Sequence, residues 1–245
     1  MIKISEIFGP TIQGEGAAAG RHCMFVRVAL CNLECHWCDT DYTWAFTERK
    51  ASLHRSGVVH DMKANLRNLS SSEVIGELGA YWDVIRKPTI VVISGGEPLV
   101  QSDALAPLAN DLRAYGNEVH IETAATLVPT EYLDMAVTQY NVSPKLENSR
   151  NSLDKRYVPE ALDFFAGDDR AWFKFVITHP DDFEEVDYIV ERHNINRRRI
   201  MVMPEGTTIE RNIDVARMIV DQAVTRGWGL TFRSHILLWK DTRGK

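Results

Sequence analysis

Short runs of β-branched and aromatic residues alternate with longer amphipathic stretches along this chain, and that rhythm constrains the fold more than any other feature. Alternation of this kind builds parallel β/α units, with functional loops at the carboxyl ends of the strands. Strands are expected at Lys3–Phe8, Met24–Ala29, Thr89–Ser94, Glu118–Glu122, Ala171–Ile177, Ile200–Pro204 and Leu230–Arg233. Helices are expected at about Ser71–Ile85, Asp103–Tyr115, Thr130–Gln139, Asp181–His193 and Ile209–Arg226. Ser70 with Glu73 has the pattern of a capping box, and Gly227 stands where a glycine would end the last helix. The units are too few for an eight-fold barrel. The expected architecture is α/β, a partial, open TIM-like β/α barrel.

A chain of 245 residues suffices for one well-buried core, so residues 1–245 are read as a single domain. The stretch Thr47–Leu69 is polar and irregular, and reads as an insertion. Apolar residues at 44% and charged residues at 25% exclude a disordered chain. A net charge of −6 argues against a general nucleic-acid surface, which needs clustered Lys and Arg. The run Arg197-Arg198-Arg199 reads as a solvated corner between helix and strand. No apolar run approaches the roughly 20 residues of a membrane span. Met1–Glu6 lacks the basic and apolar regions of a secretory signal, so a cytoplasmic location is expected. In that compartment grouped cysteines signal metal rather than disulfides.

Three of the four cysteines fall in Cys31-Asn32-Leu33-Glu34-Cys35-His36-Trp37-Cys38, directly after the strand that begins at Met24. The spacing C-x3-C-x2-C lets one loop turn three thiolates towards one centre. Thiolates suit an iron–sulfur cluster or zinc, and zinc would draw its fourth ligand from His36 or His22. Three thiolates would leave one iron of a cubane open. Cys23 lies outside the pattern and reads as a packed core thiol.

With Trp37 as its aromatic position, C-x3-C-x-aromatic-C resembles the signature of the radical S-adenosylmethionine (SAM) enzymes. The apolar run Ile90–Ile93 leads into Ser94-Gly95-Gly96-Glu97-Pro98, which resembles the SAM-binding GGEP motif of that family. The resemblance implies a [4Fe–4S] cluster on Cys31, Cys35 and Cys38 whose open iron chelates SAM. Reductive cleavage of SAM would then supply a radical.

Further segments narrow the match. They are Phe8-Gly9-Pro10-Thr11-Ile12-Gln13-Gly14-Glu15-Gly16, Asp39-Thr40-Asp41-Tyr42-Thr43-Trp44 and Val142-Ser143-Pro144-Lys145. In this order they resemble the 7-carboxy-7-deazaguanine synthase family, most weakly across Thr47–Leu69 and Asn148–Asp169. The resemblance implies ring contraction of 6-carboxy-5,6,7,8-tetrahydropterin with loss of ammonia, assisted by Mg2+. It implies substrate contacts at Ile12, Gln13, Gly14, Glu15, Arg27 and Ser94, and a Mg2+ ligand at Thr40. SAM contacts are implied at Trp37, Cys38, Asp39, Gly96, Ser143, Pro144 and Lys145. A flavodoxin or ferredoxin as electron donor and a homodimer complete the picture, with no nucleic-acid or membrane partner.

Arg27 stands alone as a charge in an apolar strand, so burial demands a partner. A substrate carboxylate would serve, as would Asp39 or Glu15. The tail from Arg233 to Lys245 also resembles the family, which usually has Gly where Lys240 stands, so a different turn is expected there. The nearest enzyme alternative is a glycyl-radical activating enzyme, and outside enzymes a zinc or iron–sulfur interaction module. Replacing Cys31, Cys35 or Cys38 by alanine is expected to abolish cluster assembly, while Cys23→Ala keeps its full iron content. Iron analysis after anaerobic reconstitution checks this, and the reverse pattern would overturn the assignment.

Overall fold

The structure, a computed structural model, describes residues 1–82 and 89–244. Among these residues nine strands form one sheet: β1 Ile2–Ile12, β2 His22–Val28, β3 Arg67–Leu69, β4 Ile90–Gly95, β5 Glu118–Thr123, β6 Gln139–Val142, β7 Ala171–Ile177, β8 Ile200–Pro204 and β9 Gly229–Leu230. Their order is β3-β1-β2-β4-β5-β6-β7-β8-β9. From β2 through β4 to β9 every pairing is parallel, whereas β1 runs antiparallel to both β2 and β3. The sheet ends at β3 and β9 without closing, as the open-barrel reading expects.

Period-2 alternation divides each strand between two environments. Met24, Val26 and Val28 of β2 and Val91 and Ile93 of β4 face the main core, where they meet Leu105, Leu108 and Leu112 of the helix Ser102–Ala114. Phe183, Val186 and Ile189 of the helix Asp182–Arg192, with Val215 and Ile219 of the helix Ile209–Arg226, extend that core under the later strands. The opposite face of the sheet begins with an apolar floor of Phe8, Cys23, Phe25, Ile90 and Val92. Cys23 is fully buried there, as expected of a core thiol, and burial pushes its pKa up to about 12. One step further along the same face stand Arg27 and Ser94, register partners across β2 and β4.

Several expected elements shift. The first strand extends to Ile12 and so carries the chain into the Gln13 loop. Helix over Thr130–Gln139 gives way to a single turn, Glu131–Asp134, followed by β6. Tyr140 and Val142 there are wholly buried in the main core, and pairing with β5 and β7 overrides the local helical pattern. Thr47–Leu69 is not irregular throughout, since it holds the one-turn helices Glu48–Ala51 and Met62–Asn65 and edge strand β3. Leu230–Arg233 is strand only to Leu230, and Ser234–Trp239 is helical. The end of the helix expected over Ser71–Ile85, and Lys245, lie outside the described residues.

Local signals otherwise act as read. Glu73 N donates to Ser70 Oγ at 3.2 Å and Ser70 N to Glu73 Oε2 at 2.7 Å, a complete capping box. Arg197–Arg199 forms one 3-10 turn between helix and β8. Lys240 takes φ 56° and ψ −153°, a conformation that glycine adopts most easily. Gly227 ends the long helix at φ 70°, with no atom within 4 Å of where a Cβ would stand. Gly227→Ala therefore meets no steric obstacle and costs only left-handed backbone strain, about 1–2 kcal/mol. Chemical denaturation should show that loss, and an unchanged midpoint would refute it.

Candidate active site

The carboxyl ends of the parallel strands open into one cavity, and polar side chains on the inner face of the sheet line it. Arg27, Ser94, Glu122, Asn141 and Lys174 come from β2, β4, β5, β6 and β7 in turn. Each follows the alternation that buries its neighbours on the helix side. Above them the loop after β2 brings Cys31, Cys35 and Cys38 to the same cavity. All three thiols remain unpaired. Among the described residues no group of three His, Cys, Asp or Glu side chains is arranged to hold a single metal ion. Three soft donors on the wall of one cavity suit an iron–sulfur cluster.

The glycine pair serves the cysteine loop directly. A Cβ on Gly96 would lie 1.8 Å from Leu30 O, and one on Gly95 would lie 2.2 Å from Val28 O. Gly96 N donates to Val28 O at 3.0 Å and Glu97 N to Leu30 O at 2.9 Å. Glu97 is 1% exposed and its carboxylate accepts from Leu99 N at 3.1 Å and Ala124 N at 2.8 Å. Burial pushes its pKa up against those two backbone donors. This acid therefore ties the end of β4 to that of β5. Thr47–Leu69 also braces the loop, for His54 Nε2 donates to Cys38 O at 2.7 Å and Arg55 N to His36 O at 2.9 Å.

The residues expected to meet substrate are joined to one another. Ser94 Oγ donates to Glu122 Oε2 at 2.6 Å and Gln13 Nε2 to Glu122 Oε1 at 3.0 Å. Gln13 Oε1 accepts from Gly14 N at 2.8 Å, which fixes its amide. Arg27 pairs with neither Asp39 nor Glu15. Its Nε donates to Glu6 Oε1 at 2.7 Å, and its guanidinium lies over the stacked rings of Phe8 and Phe25 at 5.6 and 5.9 Å. Glu6 also accepts from Tyr42 Oη and Arg243 Nε, both at 2.8 Å.

Asp39 and Glu15 belong to Arg233, a buried residue that the sequence reading passed over. Glu15 Oε1 also takes Lys174 Nζ at 2.7 Å. Ser234 N donates to Gly14 O at 2.8 Å, and His235 packs so closely that a Cβ on Gly14 would lie 2.1 Å from its Nδ1. Of the expected SAM contacts, Lys145 Nζ donates to Ser143 O and Oγ at 2.8 and 2.9 Å and lies over Trp37 at 5.9 Å. Ile12, Asp39, Thr40 and Gly96 also reach the cavity wall, whereas Pro144 does not. Of the missed residues, Lys174 carried the same signal as Arg27, a lone charge in an apolar strand, whereas Glu122 closes a strand that alternates polar and apolar and Asn141 lies in β6, which the sequence did not mark as a strand.

An open parallel β/α sheet whose second strand runs into three cysteines defines a radical SAM protein. The sequence family described as a 4Fe-4S single cluster domain matches residues 12–158. The 7-carboxy-7-deazaguanine synthase of Pyrobaculum aerophilum is 37% identical over 245 residues, covering 100% of this chain and 97% of that one. That of Hyperthermus butylicus is 32% identical, covering 97% and 93%. The crystal structure of QueE from Escherichia coli superposes with a TM-score of 0.67 at 27% identity, covering 94% of this chain and 93% of that one. The chain belongs to the 7-carboxy-7-deazaguanine synthase family.

Burial raises the Glu15 carboxyl, but Lys174, Arg233 and His235 outweigh it and hold the pKa at about 2, against an ordinary 4.5. Its stabilising contribution is thus whole above pH 4.5 and lost as pH falls towards about 2. Glu15→Gln is expected to flatten acid unfolding across that window. An identical acid limb in both proteins, followed by circular dichroism, would contradict the pairing.

Proposed function

We propose that this chain converts 6-carboxy-5,6,7,8-tetrahydropterin into 7-carboxy-7-deazaguanine with loss of ammonia, using a [4Fe–4S] cluster, SAM and Mg2+. The observation that carries the reading is a single cavity shared by the cysteine loop and the polar inner face from Arg27 to Lys174. The names of the relatives support it. When bound, the cluster and SAM supply one-electron cleavage and hydrogen-abstraction chemistry. The chain's own residues bind, orient and exclude water.

Cys31, Cys35 and Cys38 would hold the cluster, and Trp37, Cys38, Asp39, Gly96, Ser143 and Lys145 would surround SAM. Lys145 would meet the SAM carboxylate, because its ammonium is anchored by Ser143 and faces the Trp37 ring. Thr40 would offer Mg2+ an oxygen, since its hydroxyl lines the cavity beside Cys38. Gln13, Ser94 and Glu122 form an edge of donors and acceptors suited to a pterin ring. A flavodoxin- or ferredoxin-type protein would deliver the electron.

Arg27 would bind the substrate carboxylate. Its bond to Glu6 uses Nε, which leaves the two terminal nitrogens of the fork for a ligand. Glu6 keeps Tyr42 and Arg243 as partners when Arg27 is removed, so Arg27→Ala strands no buried charge. Loss of a charge-assisted contact is worth about 1.5–3 kcal/mol, or roughly 10- to 150-fold in substrate affinity. Anaerobically reconstituted enzyme should turn 6-carboxytetrahydropterin into the deazapurine, and Arg27→Ala should bind it that much more weakly while retaining reductive SAM cleavage. Absence of the deazapurine with a fully loaded enzyme would sink the proposal. Unchanged pterin affinity with loss of SAM binding would move Arg27 to the cofactor side.

A further inference from the structure

Each of the three cysteine sulfurs receives one N–H donor. Leu33 N donates to Cys31 Sγ at 3.4 Å, Asn151 Nδ2 to Cys35 Sγ at 3.2 Å and Trp44 Nε1 to Cys38 Sγ at 3.4 Å. The first is backbone and fixed by the turn of the loop. The other two are side chains from outside Cys31–Cys38, and both are held in place. Trp44 is 1% exposed and meets the His54 ring edge-on at 6.1 Å. Asn151 is gripped at its other end, where its Oδ1 accepts from Glu34 N at 2.8 Å. We propose that Trp44 and Asn151 are positioning residues that set the reduction potential of the iron–sulfur centre through these two N–H···S hydrogen bonds.

The proposal rests on Cys31, Cys35 and Cys38 being the cluster ligands. Reduction adds one negative charge to a centre already bound by three thiolates. The site resists that charge, for Cys35 is 7% exposed and the carboxyl of Glu97, 1% exposed, lines the same cavity. Lys145, on the wall of the same cavity, and the Asn151 amide at Cys35 Sγ act in the opposite sense. An N–H dipole aimed at a thiolate sulfur stabilises the reduced state more than the oxidised one, and low dielectric strengthens it. Hydrogen bonds to the sulfurs are among the determinants of cluster potential. Removing either donor therefore makes the centre harder to reduce.

The test is a redox titration of reconstituted protein, followed by the electron paramagnetic resonance signal of the reduced cubane. Trp44→Phe keeps an aromatic ring and removes the N–H, and Asn151→Leu removes the amide at similar size. Each should shift the midpoint to more negative potential, with the double variant shifted further. Asn32→Leu is the control, because Asn32 sits in the same loop but its amide donates to Thr126 Oγ1 at 2.9 Å and to no sulfur. Its midpoint should match the unmodified protein. An unchanged or more positive midpoint in Trp44→Phe and Asn151→Leu, or an equal shift in Asn32→Leu, overturns the proposal. So does failure of both variants to load four irons under conditions that load the unmodified protein fully. If only one variant loads, its midpoint decides. Failure of the unmodified protein to form a cubane would instead refute the ligand assignment.

Discussion

The loop after β1 has to close what the sheet leaves open. Among the described residues β9 pairs only with β8, so hydrogen bonding between these strands does not complete a barrel. Glu15 supplies the connection by accepting from Lys174 of β7 and facing Arg233, which follows β9. Gly14 O accepts from Ser234 N, and Gly16 N donates to Thr231 Oγ1 at 2.9 Å. The loop after β1 is thus tied to β7 and to the chain that follows β9 by buried charge and hydrogen bonds rather than by a ladder. An ion pair of this kind is costly to desolvate and is strongly destabilising when one partner is lost. Its value here is geometric, since it holds the Gln13–Gly16 loop over the cavity.

The same cavity depends on close backbone approach on its other side. Leu30 and Val28 press against Gly96 and Gly95 at distances that admit no Cβ, and Glu97 anchors the end of that turn to Ala124. The motif that resembles a SAM-binding element therefore has a prior duty, which is to lock the cysteine loop onto β4 and β5. His54, in the stretch of weakest family resemblance, reinforces that lock through Cys38 O. Second-sphere contacts of this kind orient the ligands before any cofactor arrives. Trp44 and Asn151 extend the arrangement to the sulfurs themselves.

Much of the fold was legible in the sequence because strand alternation and caps are local. The continuous apolar run Ile90–Ile93 marked a strand buried on both faces, and Ser70 with Glu73 marked a helix start. β6 was not legible, because Gln139–Val142 is a strand only by virtue of the slot between β5 and β7. β3 is likewise defined by its pairing to β1 rather than by its own residues Arg67-Asn68-Leu69.

For the site, the sequence by itself determined the ligand chemistry: three thiols at loop spacing, a glycine pair after a strand, and a lone arginine where an apolar side chain was due. These signals are covalent spacing and residue type, which need no fold to be read. Only the tertiary structure decided the partners. Arg27 meets Glu6, while Asp39 and Glu15 meet Arg233 from the far end of the chain. Glu122 takes Ser94 and Gln13 together, and Trp44 and Asn151 reach two different sulfurs. The longest of these pairings, such as Asp39 with Arg233 and Asn151 with Cys35, span more than 100 residues and depend on which strands lie side by side, and strand order is fixed by packing the whole core rather than by any local run.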